Sequence, residues 1–337
     1  MRLFIYEMIS AGGLGDDVPD SLRREGAAML GDVVEDFGRI PGVEVLTLLA
    51  DDLAGPFGQH SCRHAVSGES RAFRERARDA DAALIIAPEF DDHLSRRTGW
   101  AVAEGCRILG CGRDTIRLTS DKLTLAHWLN DHHVPTPATH LLSAAPPAVD
   151  TLPCVLKPRY GAGSQATFLI HDPGAWPEVL QQARAEWPRG DLIVQPFHPG
   201  QPASVAFFVG RNLIVPTPGA TQTLSEDGRL RYLGGTTPLQ PEIRARAVAL
   251  AQRAVESVPG LQGYLGVDVI LGAAADGAND VVVEINPRLT TSYIGLRDLT
   301  RTNLAELWLQ LWRGETVAPP VWDESEITFD AAGSGRL

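Results

Sequence analysis

Val281-Val282-Val283-Glu284-Ile285-Asn286-Pro287-Arg288 decides how this chain is read. Three consecutive valines open a buried β-strand, which then carries an acid, an amide and a guanidinium at alternate positions. Strand side chains alternate between faces, so Glu284, Asn286 and Arg288 should point one way and Ile285 and Pro287 the other. Carboxylate and amide oxygens beside a fixed positive charge are what a magnesium–polyphosphate site needs. Mg²⁺ takes hard oxygen ligands, and the planar guanidinium fork complements phosphate or carboxylate. The plainer alternative, a strand end with solvated polar residues, weakens as the rest of the chain is read.

Asp268 lies inside a second apolar run, Gly266-Val267-Asp268-Val269-Ile270. A buried carboxylate is costly unless a cation or hydrogen-bond donors meet it. If this run pairs antiparallel with 281–286, Asp268 and Glu284 sit side by side, and two like charges so placed repel unless a metal lies between them. The alternative is one acid paired to a core arginine.

Upstream, Lys157-Pro158-Arg159-Tyr160-Gly161-Ala162-Gly163-Ser164 puts a lysine at the end of a short strand, just before a small-residue turn. Its ammonium can reach phosphate oxygens while turn N–H groups surround others, and glycine lets the backbone come close. The lysine precedes the glycines, so this is not a Walker loop, and an ordinary β-hairpin is an equal alternative. Leu192-Ile193-Val194-Gln195-Pro196-Phe197 ends a strand in an amide, a proline and an aromatic ring that could frame a purine. Gly12-Gly13-Leu14-Gly15 lacks the GxGxxG order and reads at least as well as a simple turn. Glu7, Glu89, Asp91 and His93 stand at strand ends, where surface roles outweigh substrate contact.

Composition narrows the class. A chain of 337 residues can hold two or three domains. With 44% hydrophobic and 21% charged residues it is a soluble globular protein rather than a disordered one. A net charge of -12 argues against a general nucleic-acid or anionic-membrane binder, which needs a basic surface. ATP binding requires only local positive charge. Cys62, Cys106, Cys111 and Cys154 form no CxxC pair, and Cys106 and Cys111 lie in an apolar stretch without histidines at zinc spacing, so buried free thiols are expected. The N-terminus turns polar too soon for a signal peptide, and no apolar run approaches the roughly 20 residues of a membrane span. A cytoplasmic location follows as the expectation.

Along the chain, strands at 3–6, 43–49 and 82–87 alternate with helices at 21–37 and 69–78, the rhythm of a small doubly wound parallel sheet. Ser120 or Asp121 can cap a helix over 122–130, which Val134-Pro135-Thr136-Pro137 ends. A Pro- and Ala-rich connector at 143–153 leads to strands at 153–158 and 166–171 and a helix at 176–187. Strands at 192–195, 204–210 and 213–216, a helix at 241–258, strands at 266–271 and 281–286 and a helix at 303–311 complete the pattern. The end of the chain, through Ala332-Gly333-Ser334-Gly335, reads as a frayed tail.

Taken in order, the capped Asp121-Lys122 helix, the lysine strand with its small-residue loop, the Gln195 strand, Asp268 and Glu284-x-Asn286-x-Arg288 resemble the ATP-grasp superfamily of carboxylate–amine ligases. The resemblance covers about 118–311. It implies an α/β and α+β chain: a small doubly wound parallel-sheet N-terminal domain (1–115), then a two-lobed ATP-grasp module, with a small lobe carrying the phosphate lid (116–190), a C-terminal lobe carrying the metal site (191–315) and a tail (316–337). It further implies that Lys122 and Lys157 contact ATP, with Gly161, Ala162, Gly163 and Ser164 as a mobile lid and Gln195, Pro196 and Phe197 as the adenine hinge. Asp268, Glu284 and Asn286 would hold two Mg²⁺ ions, for which Mn²⁺ can substitute. Arg288 and Lys157 would act on the transferred phosphoryl group. One departure is that the hinge position, often Glu in the superfamily, is Gln195.

Two end pieces, Phe4-Ile5-Tyr6-Glu7-Met8-Ile9-Ser10-Ala11-Gly12-Gly13 and Asn286-Pro287-Arg288-Leu289-Thr290-Thr291-Ser292-Tyr293-Ile294-Gly295-Leu296, are more specifically similar to the tyramine–glutamate ligases of methanofuran and methylofuran cofactor synthesis. This implies an ADP-forming ligase that joins the side-chain carboxylate of L-glutamate to tyramine through an acyl phosphate. Glu7, Gly12, Gly13, Thr290, Thr291 and Ser292 are then candidate substrate contacts, a helix cap being the alternative for the last three. The expected partners are small-molecule carboxylate and amine substrates, without nucleic acid or membrane; a homodimer is an open option. The rival readings are another ATP-grasp amino-acid or dipeptide ligase, and a non-catalytic nucleotide-binding regulator, which would have no need of the full metal set.

Overall fold

The N-terminal third forms five parallel strands in the order β3-β2-β1-β4-β5, made of β1 (Arg2–Glu7), β2 (Glu44–Ala50), β3 (Ser61–His64), β4 (Ala82–Ile86) and β5 (Arg107–Ile108). This is a computed structural model, and it describes residues 1–15, 18–51, 61–64 (backbone only), 68–142 and 152–331. Most of the expected connector at 143–153, the tail residues from Ala332 to Gly335, and the Cys62 side chain lie outside what is described.

Leu3, Phe4, Ile5 and Tyr6 are fully buried, as suits a central strand covered on both faces. Helix α1 (Asp20–Gly38) buries Met29, Leu30, Val33, Val34 and Phe37, a helical stripe, in one core with Leu3, Ile5, Val45 and Leu49. Helices α2 (Glu69–Arg78) and α3 (His93–Ala103) complete the unit. The strand order reverses between β1 and β4, so a crevice opens at their C-terminal ends, where Glu7 and the loop carrying Glu89 emerge.

Helices α4 (Arg113–Ser120) and α5 (Lys122–Asp131) lead into the small lobe. Asp121 rather than Ser120 caps α5, its carboxylate accepting from Leu123 and Thr124 N–H. The lobe is an antiparallel sheet ordered β6-β9-β7-β8, from β6 (His140–Leu141), β7 (Cys154–Pro158), β8 (Phe168–Ile170) and β9 (Leu192–Pro196), covered by α6 (Trp176–Glu186). Its core of Cys154, Leu156, Phe168, Ile170 and Trp176 is separate from the rest.

The large lobe is built on a second antiparallel sheet, β11-β10-β15-β16, from β10 (Gln201–Val209), β11 (Ile214–Pro216), β15 (Gly263–Leu271) and β16 (Val281–Asn286), with β12 (Ala220–Thr221) beside β10. Leu265, Val267, Val269 and Leu271 pack with Ala247, Leu250 and Ala254 of α7 (Pro241–Ser257), so Tyr264, Gly266 and Asp268 face the opposite, cleft side. Helices α8 (Ser292–Leu296) and α9 (Leu304–Arg313) close that side against α1. Both large cores run without a break from the parallel sheet into this lobe, whereas the small lobe packs by itself.

The expected frayed tail is corrected in part. β17 (Ile327–Asp330) pairs with β14 (Tyr232–Thr237), which in turn pairs with β13 (Thr223–Leu224). Phe329 is buried, and its ring would collide with any side chain at Gly295. Period-two alternation in Ile327-Thr328-Phe329 was the available signal. Cys106, Cys111 and Cys154 are free and buried as expected, and burial pushes the Cys106 and Cys111 thiols up to about 11.

Candidate active site

β15 and β16 pair antiparallel with Asp268 opposite Glu284 and Gly266 opposite Asn286. The acid and amide of the decisive stretch therefore share the cleft face with Asp268. A bulge follows, since Val269 pairs with Val282, leaving Val283 as the extra residue beside the two acids. Among the described residues no arginine pairs with Asp268. Its oxygens accept from Gln222 Nε2 (2.9 Å) and Asn286 Nδ2 (3.1 Å). Burial and the neighbouring Glu284 charge raise the Asp268 carboxyl, while Glu284 is held down, against burial, by the Lys122 and Lys157 ammoniums. Two facing acids and an amide are a hard-oxygen donor set that suits a divalent cation such as Mg²⁺.

Lys122 and Lys157 approach this pair from the small-lobe side. Lys122 Nζ lies 2.9 Å from Glu284 Oε2 and donates to Gly161 O at 2.8 Å, tying the acid to the small-residue loop that starts there. Lys157, at the end of β7, is buried and has no hydrogen-bond or ion-pair partner among the described residues; burial lowers its ammonium to about 8. An unpaired cation beside two acids is free to meet phosphate oxygens. The 160–164 loop is fixed at its base, because Arg159 forms a bidentate pair with Asp121 (2.8 and 2.6 Å). Burial opposes ionisation of Asp121, yet Arg159 and the Thr124 donors hold it at about 2. Gly163 and Ser164 turn through positive φ (65° and 57°), and Ser164 Oγ donates to Leu230 O, so the loop lies across to the large lobe.

Gln195 and Pro196 end β9, and Phe197 follows. The Gln195 side chain is buried and donates to Thr139 Oγ1 at 2.7 Å, and Phe197 N–H donates to Pro153 O. β9 pairs with β7 so that Gln195 stands opposite Val155 and shares a sheet face with Lys157, away from the Cys154, Leu156 and Leu192 core face, and Thr139 holds its amide there.

Beyond β16, Arg288 leaves the acid pair and crosses to the parallel-sheet unit. Its Nε and Nη2 donate to Glu89 at 2.8 and 3.2 Å. Glu89 is buried on the loop after β4, where Asp91 and Asp92 take left-handed φ of 51° and 57°. The surface role expected of Glu89 is thereby corrected, whereas Asp91 remains exposed. Thr290 packs over Gly266, where a Cβ would stand 2.8 Å from its methyl group, and shares hydroxyl contacts with Ser292 and Tyr264. Thr291 donates to Glu25 of α1 at 2.5 Å. None of the three hydroxyls caps α8: Thr291, at the cap position, makes no such bond.

Three further candidates are used structurally. Glu7 accepts from Ile9 N–H, Ser10 N–H and Ser10 Oγ, and so closes its own loop. Gly12 supplies a positive φ of 71°, and Gly13 fits against Met8, Tyr6 and Arg97, where a Cβ would clash at 2.8–2.9 Å. The simple-turn reading describes this segment. Residues not singled out by sequence are Glu25, Gln222 and Tyr232. Glu25 follows Arg23-Arg24 and looks like any solvated helix residue, so no local signal marked it.

Comparison with known proteins follows this geometry. Residues 119–292 match the model of an ATP-grasp domain, and residues 43–116 match a pre ATP-grasp 3 domain. The chain belongs to the ATP-grasp family. It is similar to a tyramine–L-glutamate ligase of Methanocaldococcus fervens, 29% identical over 255 residues, covering 75% of this chain and 70% of that one. The ligase of the same name from Methanocaldococcus jannaschii is 28% identical over 235 residues, covering 70% and 64%; the match thus spans just under two thirds of this relative's length. Among solved structures, a putative ATP-grasp superfamily protein from Archaeoglobus fulgidus superposes with a TM-score of 0.73 at 25% identity, covering 98% of this chain and 92% of that one. This ATP-grasp chain is an ATP-dependent carbon–nitrogen ligase. No helix among its described residues is long and apolar enough to cross a membrane.

Proposed function

We propose that this chain couples the γ-carboxylate of L-glutamate to tyramine through an acyl phosphate, converting ATP to ADP and phosphate. The observation that carries the reading is Asp268 opposite Glu284 in one strand register, ringed by Lys122, Lys157 and Arg288. The choice of substrates rests on the name borne by the two archaeal relatives. A role in methanofuran or methylofuran synthesis belongs to the same proposal.

In the first step a carboxylate oxygen attacks the γ-phosphorus, the bond to the β–γ bridging oxygen breaks, and ADP leaves. Such transfers ask the protein mainly for alignment and charge neutralisation. Lys157 would take phosphate oxygens, being the unpaired buried cation of the site. Asp268, Glu284 and Asn286 would hold Mg²⁺, which when bound offsets charge on the triphosphate. Arg288 lies in the fields of Glu284, Glu25 and Glu89, which puts it between the acid pair and the parallel-sheet crevice. There it would orient the carboxylate and later the oxyanion of the tetrahedral intermediate. The lid loop, lying across to Leu230, would keep water from the acyl phosphate. An amine then attacks the acyl carbon and phosphate departs.

The test is to incubate protein, Mg·ATP, L-glutamate and tyramine and follow ADP, phosphate and amide by mass. ADP and phosphate appearing only with both substrates supports the reading. AMP and pyrophosphate would overturn the acyl phosphate, and amide formed only from other pairs would replace the substrates.

A further inference from the structure

The parallel-sheet unit sends three carboxylates toward the crevice, and they are not equally answered. Glu7 has three donors of its own loop, and Glu89 has the Arg288 guanidinium. Glu25 has one partner, the Thr291 hydroxyl on its Oε1, and its Oε2 meets no donor among the described residues. It is half-buried, and burial raises its carboxyl above the usual range while Arg288 acts in the other direction. A partly desolvated carboxylate with one oxygen unanswered calls for a cation. Arg288 does not answer it: its Nε and Nη2 donate to Glu89, and no hydrogen bond among the described residues joins it to Glu25.

Glu25 is also held firmly in place. On α1, Asp36 accepts from Tyr293 at 2.8 Å and from Arg297 at 2.6 and 3.0 Å, while Asp32 accepts from Arg297 at 2.7 Å. This network pins α1 to α8 directly after Thr291, so Glu25 and Thr291 are set by the same contacts. The Tyr232 hydroxyl, which lies in the fields of both Glu25 and Asp268, has no hydrogen-bond partner among the described residues. An unanswered carboxylate oxygen and an unpartnered phenol thus flank the space between Arg288 and the metal-type acids.

We infer that Glu25 receives the ammonium of the incoming amine and takes its proton. The inference rests on the ligase reading and deepens it by assigning the nucleophile's subsite. An amine that reaches the site at neutral pH is an ammonium with no lone pair to give. One proton passes from nitrogen to Glu25 Oε2, and the freed pair forms the C–N bond at the acyl carbon. The carbon–oxygen bond to phosphate then breaks, its electron pair leaves on phosphate, and that phosphate takes the second nitrogen proton. Glu25 returns its proton to solvent.

The experiment compares tyramine with hydroxylamine, a nucleophile that is uncharged at neutral pH and needs no carboxylate to receive it. In Glu25→Gln, kcat/KM for tyramine should fall about 100-fold, the range of general-base catalysis. Hydroxamate formation from ATP, L-glutamate and hydroxylamine should stay near the wild-type rate, which also shows the variant to be folded. Equal losses with both nucleophiles would overturn the inference, placing Glu25 with the carboxylate substrate or the fold. An unchanged tyramine rate would overturn it too. A wild-type protein that forms neither product would sink the ligase reading itself, a distinct result.

Discussion

Asp268 and Glu284 meet because two neighbouring strands pair in one register, whereas Arg288, Glu89, Thr291 and Glu25 meet only because a helix, a loop and a strand end from two units converge. The first arrangement is local in the sheet and carries its own geometry. The second depends on the α1–α8 network and on a loop with two left-handed aspartates. The facing acids of the metal end are thus set by one strand register, with Lys122 and Lys157 added from the small-lobe side, whereas every member of the substrate end depends on the meeting of two units. Substitutions at the two ends should differ accordingly.

The largest effects are expected within the acid pair and at Arg288. Glu284→Gln or Arg288→Ala should lower turnover by about 10²–10³, equivalent to about 3–4 kcal/mol of transition-state stabilisation. Glu284→Gln should also raise the Mg²⁺ concentration for half-maximal rate while leaving the thermal midpoint close to wild type. Steady-state rates across a Mg²⁺ series check both points, and a near-normal rate in folded Arg288→Ala would remove it from the mechanism. Glu89→Gln should behave otherwise, because it strands a buried guanidinium. Breaking a buried pair costs about 3–5 kcal/mol, so stability and turnover should fall together. A double-mutant cycle of Glu89→Ala with Arg288→Ala, read by urea unfolding, should show the pair to be less costly than the sum of the singles. Additive losses would mean that the two residues act apart.

The same contrast explains what could be read from sequence. Glu284-x-Asn286 and Asp268 declared themselves because a charge inside a valine-rich run is anomalous and strand alternation says which residues share a face. Helix caps and strands of ordinary length were legible for the same reason, as with Asp121 and the 69–78 helix. The Thr139 partner of Gln195 carries no local signal, since it lies 56 residues away. Glu25 was invisible, since its partner Thr291 is 266 residues distant and its neighbours are ordinary surface charges. The segment 289–296 stood out as a motif, but its physical role is split. Leu289, Tyr293, Ile294 and Leu296 pack the two units together, while the hydroxyls of Thr290, Thr291 and Ser292 make the polar contacts on the cleft side.

A smaller effect should follow at the hinge. Gln195→Leu removes the donor to Thr139, a hydroxyl that still donates to Pro137 O, so about 1 kcal/mol of stability should be lost with little change in KM for ATP. A large rise in that KM would instead return the Gln195 side chain to the nucleotide.

The subtlest test concerns pH and again separates the two ends. His93 sits behind the Glu89 loop, half-buried, with Nδ1 3.3 Å from Arg97 Nη1. Burial, followed by the Arg97 charge, lowers its pKa from 6.5 to about 4. The unfolded chain therefore takes up a proton below about pH 6.5 that the folded chain refuses until about pH 4. The stability due to neutral His93 is present above the unfolded value and is lost as pH falls through the folded one. A shift of this size corresponds to at most about 3 kcal/mol, and solvent access reduces it. Urea midpoints at pH 7 and pH 5 should therefore fall less in His93→Asn than in wild type. Burial and the Glu284 charge raise the Asp268 carboxyl, so KM for Mg·ATP should rise as pH falls, alike in wild type and in His93→Asn. An acid limb of KM for Mg·ATP that shifted in His93→Asn would show the two ends to be coupled.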